Sequence, residues 1–334
     1  MTAIRTWVAG SRSHRGQGRR VTLRRYGAAA ITAAAAALAA TSSAAQAATW
    51  LVSHPHVVGH FDLSAGQSPE GMALEPDGAV DVSFAKADQV ARVTRGGQVQ
   101  VLAQLPKTGS CPQLGFPVSA GIARAGDGAS YVVDCTGNAD TGVWRVRAGR
   151  APVQIARLPA NSFPNDMALD DQTGDLNIAD SLLGVVWQVP AWGGSASVWA
   201  SGPALQRTSF FGANGIAAHD QAVWVSNSDQ GTIVEIPVRA DGSTGVIQPV
   251  VTGLAGGVDN FTVLGPDNMI LAAVDGSNQV VLIKPGGSPR TVLTAADGLS
   301  NPTDVAVRHD TLYVTSAAYF TFSDPNLLTA HLHR

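Results

Sequence analysis

The chain has 334 residues, 45% of them apolar, with 22 Lys and Arg against 25 Asp and Glu and only two cysteines. The first 47 residues hold seven Arg and no acid, which leaves 15 basic residues against 25 acids in the remainder, a formal charge of −10. That balance argues against nucleic acid and anionic membranes as partners, and about 287 residues of uniform composition suit one large all-β domain.

In chain order, residues 1–47 read as a cleaved signal peptide. The Arg-rich start leads into an apolar stretch from Ala28 to Ala40, and Ala45-Gln46-Ala47 offers a small-residue cleavage site. The stretch is too short for a spanning helix, which needs about 20 apolar residues. A secreted, extracellular protein is therefore expected, with no membrane attachment after cleavage. Arg19-Arg20 leaves the twin-arginine route open beside the general secretory one.

Residues 48–334 repeat. Six short apolar runs are headed by Glu70, Ala120, Asn165, Asn214, Asp259 and Thr303, at intervals of 50, 45, 49, 45 and 44 residues. A period of that length marks one supersecondary unit per repeat. In the first repeat, Gly71 to Leu74, a Pro76-Asp77-Gly78 turn, Val80 to Ala85, Gln89 to Thr94, a Gly96-Gly97 turn and Val99 to Leu105 alternate as four antiparallel strands. Third strands recur as Val143-Trp144-Arg145-Val146, Val186-Trp187-Gln188-Val189, Ile233-Val234-Glu235-Ile236 and Val280-Val281-Leu282-Ile283. No segment carries a sustained helical period.

The sixth repeat stops after three strands, the last from Leu327 to His333, whereas His56 to Asp62 resembles a fourth strand and precedes the first repeat. Joining the two predicts an all-β, six-bladed β-propeller whose last blade is completed by the N-terminal strand. In this fold Cys111 enters the second blade and Cys135 follows its second strand on the same face, so a disulfide is expected. Closing that 25-residue segment is worth roughly 3 kcal/mol on the chain-entropy account.

Equivalent first-strand starts face a common axis, and four of the six carry oxygen donors. Asp, Glu and Asn make up 36 of 334 residues, about one in nine, so chance explains four hits in six poorly. Glu70, Asn165, Asn214 and Asp259 supply two carboxylates and two amide carbonyls, the donor set of a hard divalent ion. Asn260 and Asp166 follow directly, as further ligands or as groups orienting them. With no His or Cys in register, one Ca2+ is favoured over zinc, with Mg2+ or Mn2+ as variants. Loops between second and third strands return to this face. The longest, Ser316 to Asn326, carries Tyr319, Phe320 and Phe322 and could roof an apolar pocket.

Ser68-Pro69-Glu70-Gly71, Phe163-Pro164-Asn165-Asp166, Ala213-Asn214-Gly215-Ile216 and Val258-Asp259-Asn260 resemble the calcium-site motifs of the gluconolactonase and senescence marker protein family and the related paraoxonases. The resemblance implies a six-bladed propeller with a central calcium held by Glu70, Asn165, Asn214 and Asp259, and Asn260 matches an additional paraoxonase ligand. It further implies hydrolysis of a lactone or ester, with Asp259 as both ligand and catalytic base and Glu70 as second candidate. Phe163 stands where gluconolactonase-like members often have Arg, which moves the expected substrate toward apolar lactones or esters. Ala120 and Cys135 stand nearest the paraoxonase His pair, so a His-assisted mechanism is not expected. Gly71 replaces an acid of their second calcium site, so one ion is expected.

No Gly-x-Ser-x-Gly elbow exists in the chain, so a covalent acyl intermediate is not expected. Two rival readings remain: a non-catalytic propeller binding a ligand or protein on its metal-bearing face, and carbon–carbon bond formation as in strictosidine synthase-like propellers, which lack the calcium site. A monomer is expected. His54, His56 and His60 lie on or beside the closing strand. Alternation puts His331 and His333 on one side of its partner, open to solvent or to a transition metal. His219 and His309 fall in turns on the opposite face, and Trp144, Trp187, Trp199 and Trp224 are placed for packing between blades.

Overall fold

Six four-stranded antiparallel sheets make up the computed structural model, which describes residues 50–333. The expected signal peptide lies outside the described residues. Blade 1 comprises β2 (Pro69–Leu74), β3 (Val80–Phe84), β4 (Gln89–Val93) and β5 (Val99–Gln104). Blade 2 comprises β6 (Val118–Arg124), β7 (Ser130–Cys135), β8 (Gly142–Val146) and β9 (Val153–Arg157). Blade 3 follows as β10 (Pro164–Asp170), β11 (Asp175–Asp180), β12 (Val185–Pro190) and β13 (Ser197–Ser201). Blade 4 is β14 (Ala213–His219), β15 (Ala222–Asn227), β16 (Thr232–Pro237) and β17 (Gln248–Val251). Blade 5 is β18 (Val258–Leu264), β19 (Met269–Val274), β20 (Gln279–Ile283) and β21 (Arg290–Leu293).

Blade 6 closes the ring as the repeat pattern predicts. Its strands are β22 (Pro302–Arg308), β23 (Thr311–Ser316) and β24 (Asn326–His333), with β1 (Leu51–His60) as the outer fourth strand. β1 pairs antiparallel with β24 from Leu51 opposite His333 to His60 opposite Asn326. The first strands of consecutive blades touch in sequence, and β22 touches β2, so the axis is enclosed. Two 3-10 turns, Leu63–Ala65 and Ala295–Asp297, interrupt the otherwise strand-and-loop chain.

Packing follows from the alternation. Inner strands such as β3 and β7 are buried along their whole length, whereas the outer β5 exposes most of its residues. The apolar side chains pack between neighbouring blades: Trp224 of blade 4 lies with Phe261 and Val263 of blade 5, and Trp144 of blade 2 with Ala73 and Val90 of blade 1. Cys111 and Cys135 are bonded, with Cα atoms 5.0 Å apart. Cys135 is the last residue of β7 rather than part of the loop after it.

All six first strands share one irregularity. Their register with the second strand slips between Pro69 and Met72, Ser119 and Ile122, Pro164 and Asp166, Ala213 and Ile216, Val258 and Phe261, and Pro302 and Asp304. Each slip spans the residue singled out by the repeat. A bulge re-aims a side chain that a regular pleat would hold perpendicular to the sheet.

Candidate functional site

The bulges bring the predicted ring together. Glu70, Asn165, Asn214 and Asp259, with Asp166, Asn260 and Thr303, line a small axial cavity of about 10 Å³, room on the order of one water or ion. The same four predicted donors also line a much larger cavity of about 730 Å³ on one face of the ring. They therefore form the partition between the two. Asn260 and Asp166 line only the axial cavity.

Hydrogen bonding separates these polar groups into two sets. Asn165 Nδ2 donates to Ser181 Oγ at 3.0 Å and Asn214 Nδ2 to Ser228 Oγ at 2.7 Å, which commits both amide nitrogens. Asn214 Oδ1 is buried without a hydrogen-bond partner among the described residues. The Tyr319 hydroxyl donates to Glu70 Oε2. In contrast, Asp166 Oδ2 accepts from the Ile216 amide at 3.0 Å, and Asp304 Oδ2 accepts from the Met72 amide at 2.8 Å. These two carboxylates tie one blade to the backbone of the next. Asn260 Oδ1 accepts from the Phe261 amide at 2.8 Å. Space is tight here: a Cβ on Gly121 would stand 2.1 Å from Asp166 Oδ1, and one on Gly215 2.7 Å from the Asn260 Cα.

Burial raises every carboxylate of the cluster, because removal from water penalises charge. Glu70 is pushed up to about 7, mainly by desolvation; the bond from Tyr319 opposes the rise, and Asp275 and Asp304 add to it. Asp259 rises well above the usual range through desolvation and then the proximity of Glu70 and Asp275. Asp304 reaches about 7 and Asp275 about 6, again mainly by desolvation. Such crowding is costly unless protons or a cation neutralise it.

The residues fit a hard divalent cation. A buried amide oxygen lacks a partner, the two amide nitrogens point elsewhere, and two carboxylates supply balancing charge. Among the described residues, no group of three or more His, Cys, Asp or Glu is assembled for a metal ion. Half of this ring is amide, so the fit rests on Asn165 and Asn214 as much as on the acids.

The larger cavity is mostly apolar and aromatic, with Phe116, Phe163, Phe210, Phe211, Tyr319 and Phe320 in its wall. Phe163 and Phe211 pack with ring centres 5.1 Å apart. Lys86 Nζ lies 5.7 Å from the Phe116 ring centre and 5.8 Å from that of Tyr319. Tyr319 and Phe320 of the long blade 6 loop do cover the cavity, whereas Phe322 is 73% exposed and does not line it. Asp229 holds another wall segment: its carboxylate accepts from the amides of Thr208, Ser209, Phe210 and Phe211 at 2.6 to 3.2 Å.

Asp275 lies in the loop between the second and third strands of blade 5, one of those expected to return to this face, while sequence reasoning missed Asp304, Phe210 and Phe211. Asp304 could have been found, since it follows Thr303 as Asp166 follows Asn165 and Asn260 follows Asp259. His309 lies in the turn between the first and second strands of blade 6, whereas His219, expected in a turn, is the last residue of β14; neither lines the site.

By sequence, no protein-family model and no curated protein matches the chain. Solved structures match it at low identity across nearly its whole described length. An aldose sugar dehydrogenase from Streptomyces coelicolor with bound PQQ is 15% identical with a TM-score of 0.64, covering 86% of this chain and 99% of its own. A structure described as a putative gluconolactonase is 17% identical with a TM-score of 0.60, covering 84% and 92%. Regucalcin from Agrobacterium tumefaciens, described as a calcium-binding protein, is 16% identical with a TM-score of 0.60, covering 82% and 93%. These likenesses establish the six-bladed propeller fold, which different chemistries share.

Proposed function

We propose that this chain is a secreted calcium-dependent hydrolase of an apolar lactone or ester. The observation that carries the reading is the partition: four oxygen-bearing side chains from four blades separate an ion-sized axial space from an aromatic cavity. Glu70, Asn165, Asn214 and Asp259 would hold the cation, which when bound supplies a positive centre to polarise a substrate carbonyl.

The remaining chemistry belongs to the side chains. The aromatic wall binds the apolar body of the substrate and excludes water around the reacting ester. Asp259 takes a proton from the attacking water; the water oxygen bonds to the carbonyl carbon, the bond to the leaving oxygen breaks, and the proton passes to that oxygen. Burial and the nearby Glu70 favour proton uptake by Asp259. The Tyr319 hydroxyl occupies Glu70 Oε2, which leaves Oε1 as the second carboxylate oxygen for the ring.

A panel of lactones and esters of increasing apolar length, assayed with and without chelator, tests the proposal. Chelator-sensitive turnover is expected. Chelator-sensitive stability without turnover on any member would instead support a non-catalytic binding propeller braced by calcium.

A further inference from the structure

The seam that closes the ring carries three neighbouring histidines outside the axial site, exposed and not assembled around a common point. His331 and His333 stand two residues apart on β24, so alternation projects both rings to the same face, and their centres lie 5.9 Å apart. His54 reaches them from the closing strand β1. The register slips between Ser53 and His56, and His54 takes a left-handed φ of 53° in that bulge. Its ring centre stands 6.0 Å from that of His331. Ser53 Oγ lies 2.9 Å from His54 Nδ1 and 2.7 Å from His333 Nε2, so two imidazole nitrogens already converge on one small volume. Asp310 Oδ2 lies 3.8 Å from His331 Nδ1.

We propose that His54, His331 and His333 form a surface site for a transition-metal cation of the zinc class, clasping the N-terminal strand to the C-terminal one. Three neutral imidazoles suit zinc, copper or nickel, in contrast to the oxygen set at the axis. Zinc–nitrogen bonds of about 2.0–2.1 Å in tetrahedral geometry put ligand ring centres roughly 5 Å apart, so the His54–His331 and His331–His333 pairs must each close by about 1 Å and turn their nitrogens inward. All three side chains are exposed, and the closure exchanges their contacts with Ser53 and Asp310 for the cation. Water, Ser53 or Asp310 completes the coordination. Because the ligands come from strands about 280 residues apart in sequence, the cation binds only the closed ring and stabilises closure.

The test is calorimetric titration of untagged, chelator-stripped full chain with zinc chloride, in saturating calcium so that the axial site does not compete. One zinc per chain is expected, together with a zinc-dependent rise in thermal midpoint. His54→Ala, His331→Ala and His333→Ala should each weaken binding by about tenfold or more, since loss even of a group supporting a ligand costs that much. His56→Ala and His60→Ala should bind as the parent does, and circular dichroism checks that each variant is folded. Absence of zinc uptake, or uptake unchanged in folded His331→Ala and His333→Ala, overturns the proposal.

Discussion

Two layers of buried polar groups surround the propeller axis, and they are satisfied differently. In one, Asp166 and Asp304 accept amide hydrogens from the neighbouring blade, and Ser83, Ser226 and Thr303 donate to backbone carbonyls of Ala120, Asp259 and Pro69. Every group named there has a protein partner, and the result is a ring stitched blade to blade. In the other, Asn214 Oδ1 has none among the described residues, and Asn165 and Asn214 spend their nitrogens on serines. A buried oxygen without a partner is costly, so its persistence beside a cavity is better explained by an external partner than by folding alone.

Replacing Asp259 with Asn keeps the shape of the second layer and removes the proton acceptor. Turnover should fall on the order of 10²- to 10⁴-fold in an ester or lactone assay, with little change in circular dichroism. Retained activity would remove Asp259 as the base. Calcium removal should be the next largest effect: at a free concentration of about 100 times Kd the ion adds roughly 2.7 kcal/mol, lost on chelation and visible as a lower thermal midpoint. Asn214→Ala should abolish most of that calcium-dependent increment.

Asp304→Ala probes the first layer. It leaves the Met72 and Val305 amides without their acceptor and should cost about 1–3 kcal/mol in denaturant unfolding of calcium-loaded protein. Without calcium the cost should be smaller, because the same change relieves Glu70 and Asp259 of a neighbouring like charge. The pH response is the finest distinction. Glu70 and Asp304 bind a proton more tightly folded than unfolded, each with a folded value of about 7. Calcium-free protein should therefore be most stable below about pH 4 with respect to these groups and lose that stability as pH rises toward 7. Added calcium should flatten the decline by favouring the ionised forms of the ring acids, measurable as thermal midpoint against pH.

The stitched layer and the ring were not equally legible in the sequence. Blade number, ring closure and the four ring donors follow from a repeat whose register survives in Glu70, Asn165, Asn214 and Asp259, because a common axis demands a common position. The bulges that aim those side chains are invisible in an alternating pattern, which reads as regular pleat. Blade position put the Asp275 loop on the site's face, but Phe210 and Phe211 come from a loop whose course depends on the Asp229 clamp, and no local spacing encodes them. Residues 1–47 lie outside the described residues, so the expected signal peptide rests on their sequence, and N-terminal sequencing of purified protein tests cleavage near Ala48.

Calcium titration of the chelator-stripped protein by calorimetry, with Asn165→Ala and Asn214→Ala in parallel, addresses the central claim most directly. One calcium per chain, bound by the parent and lost or greatly weakened in both folded variants, is the predicted result. Parent protein that binds no calcium, or variants that bind it undiminished, would contradict convergence of the four blades on a shared cation.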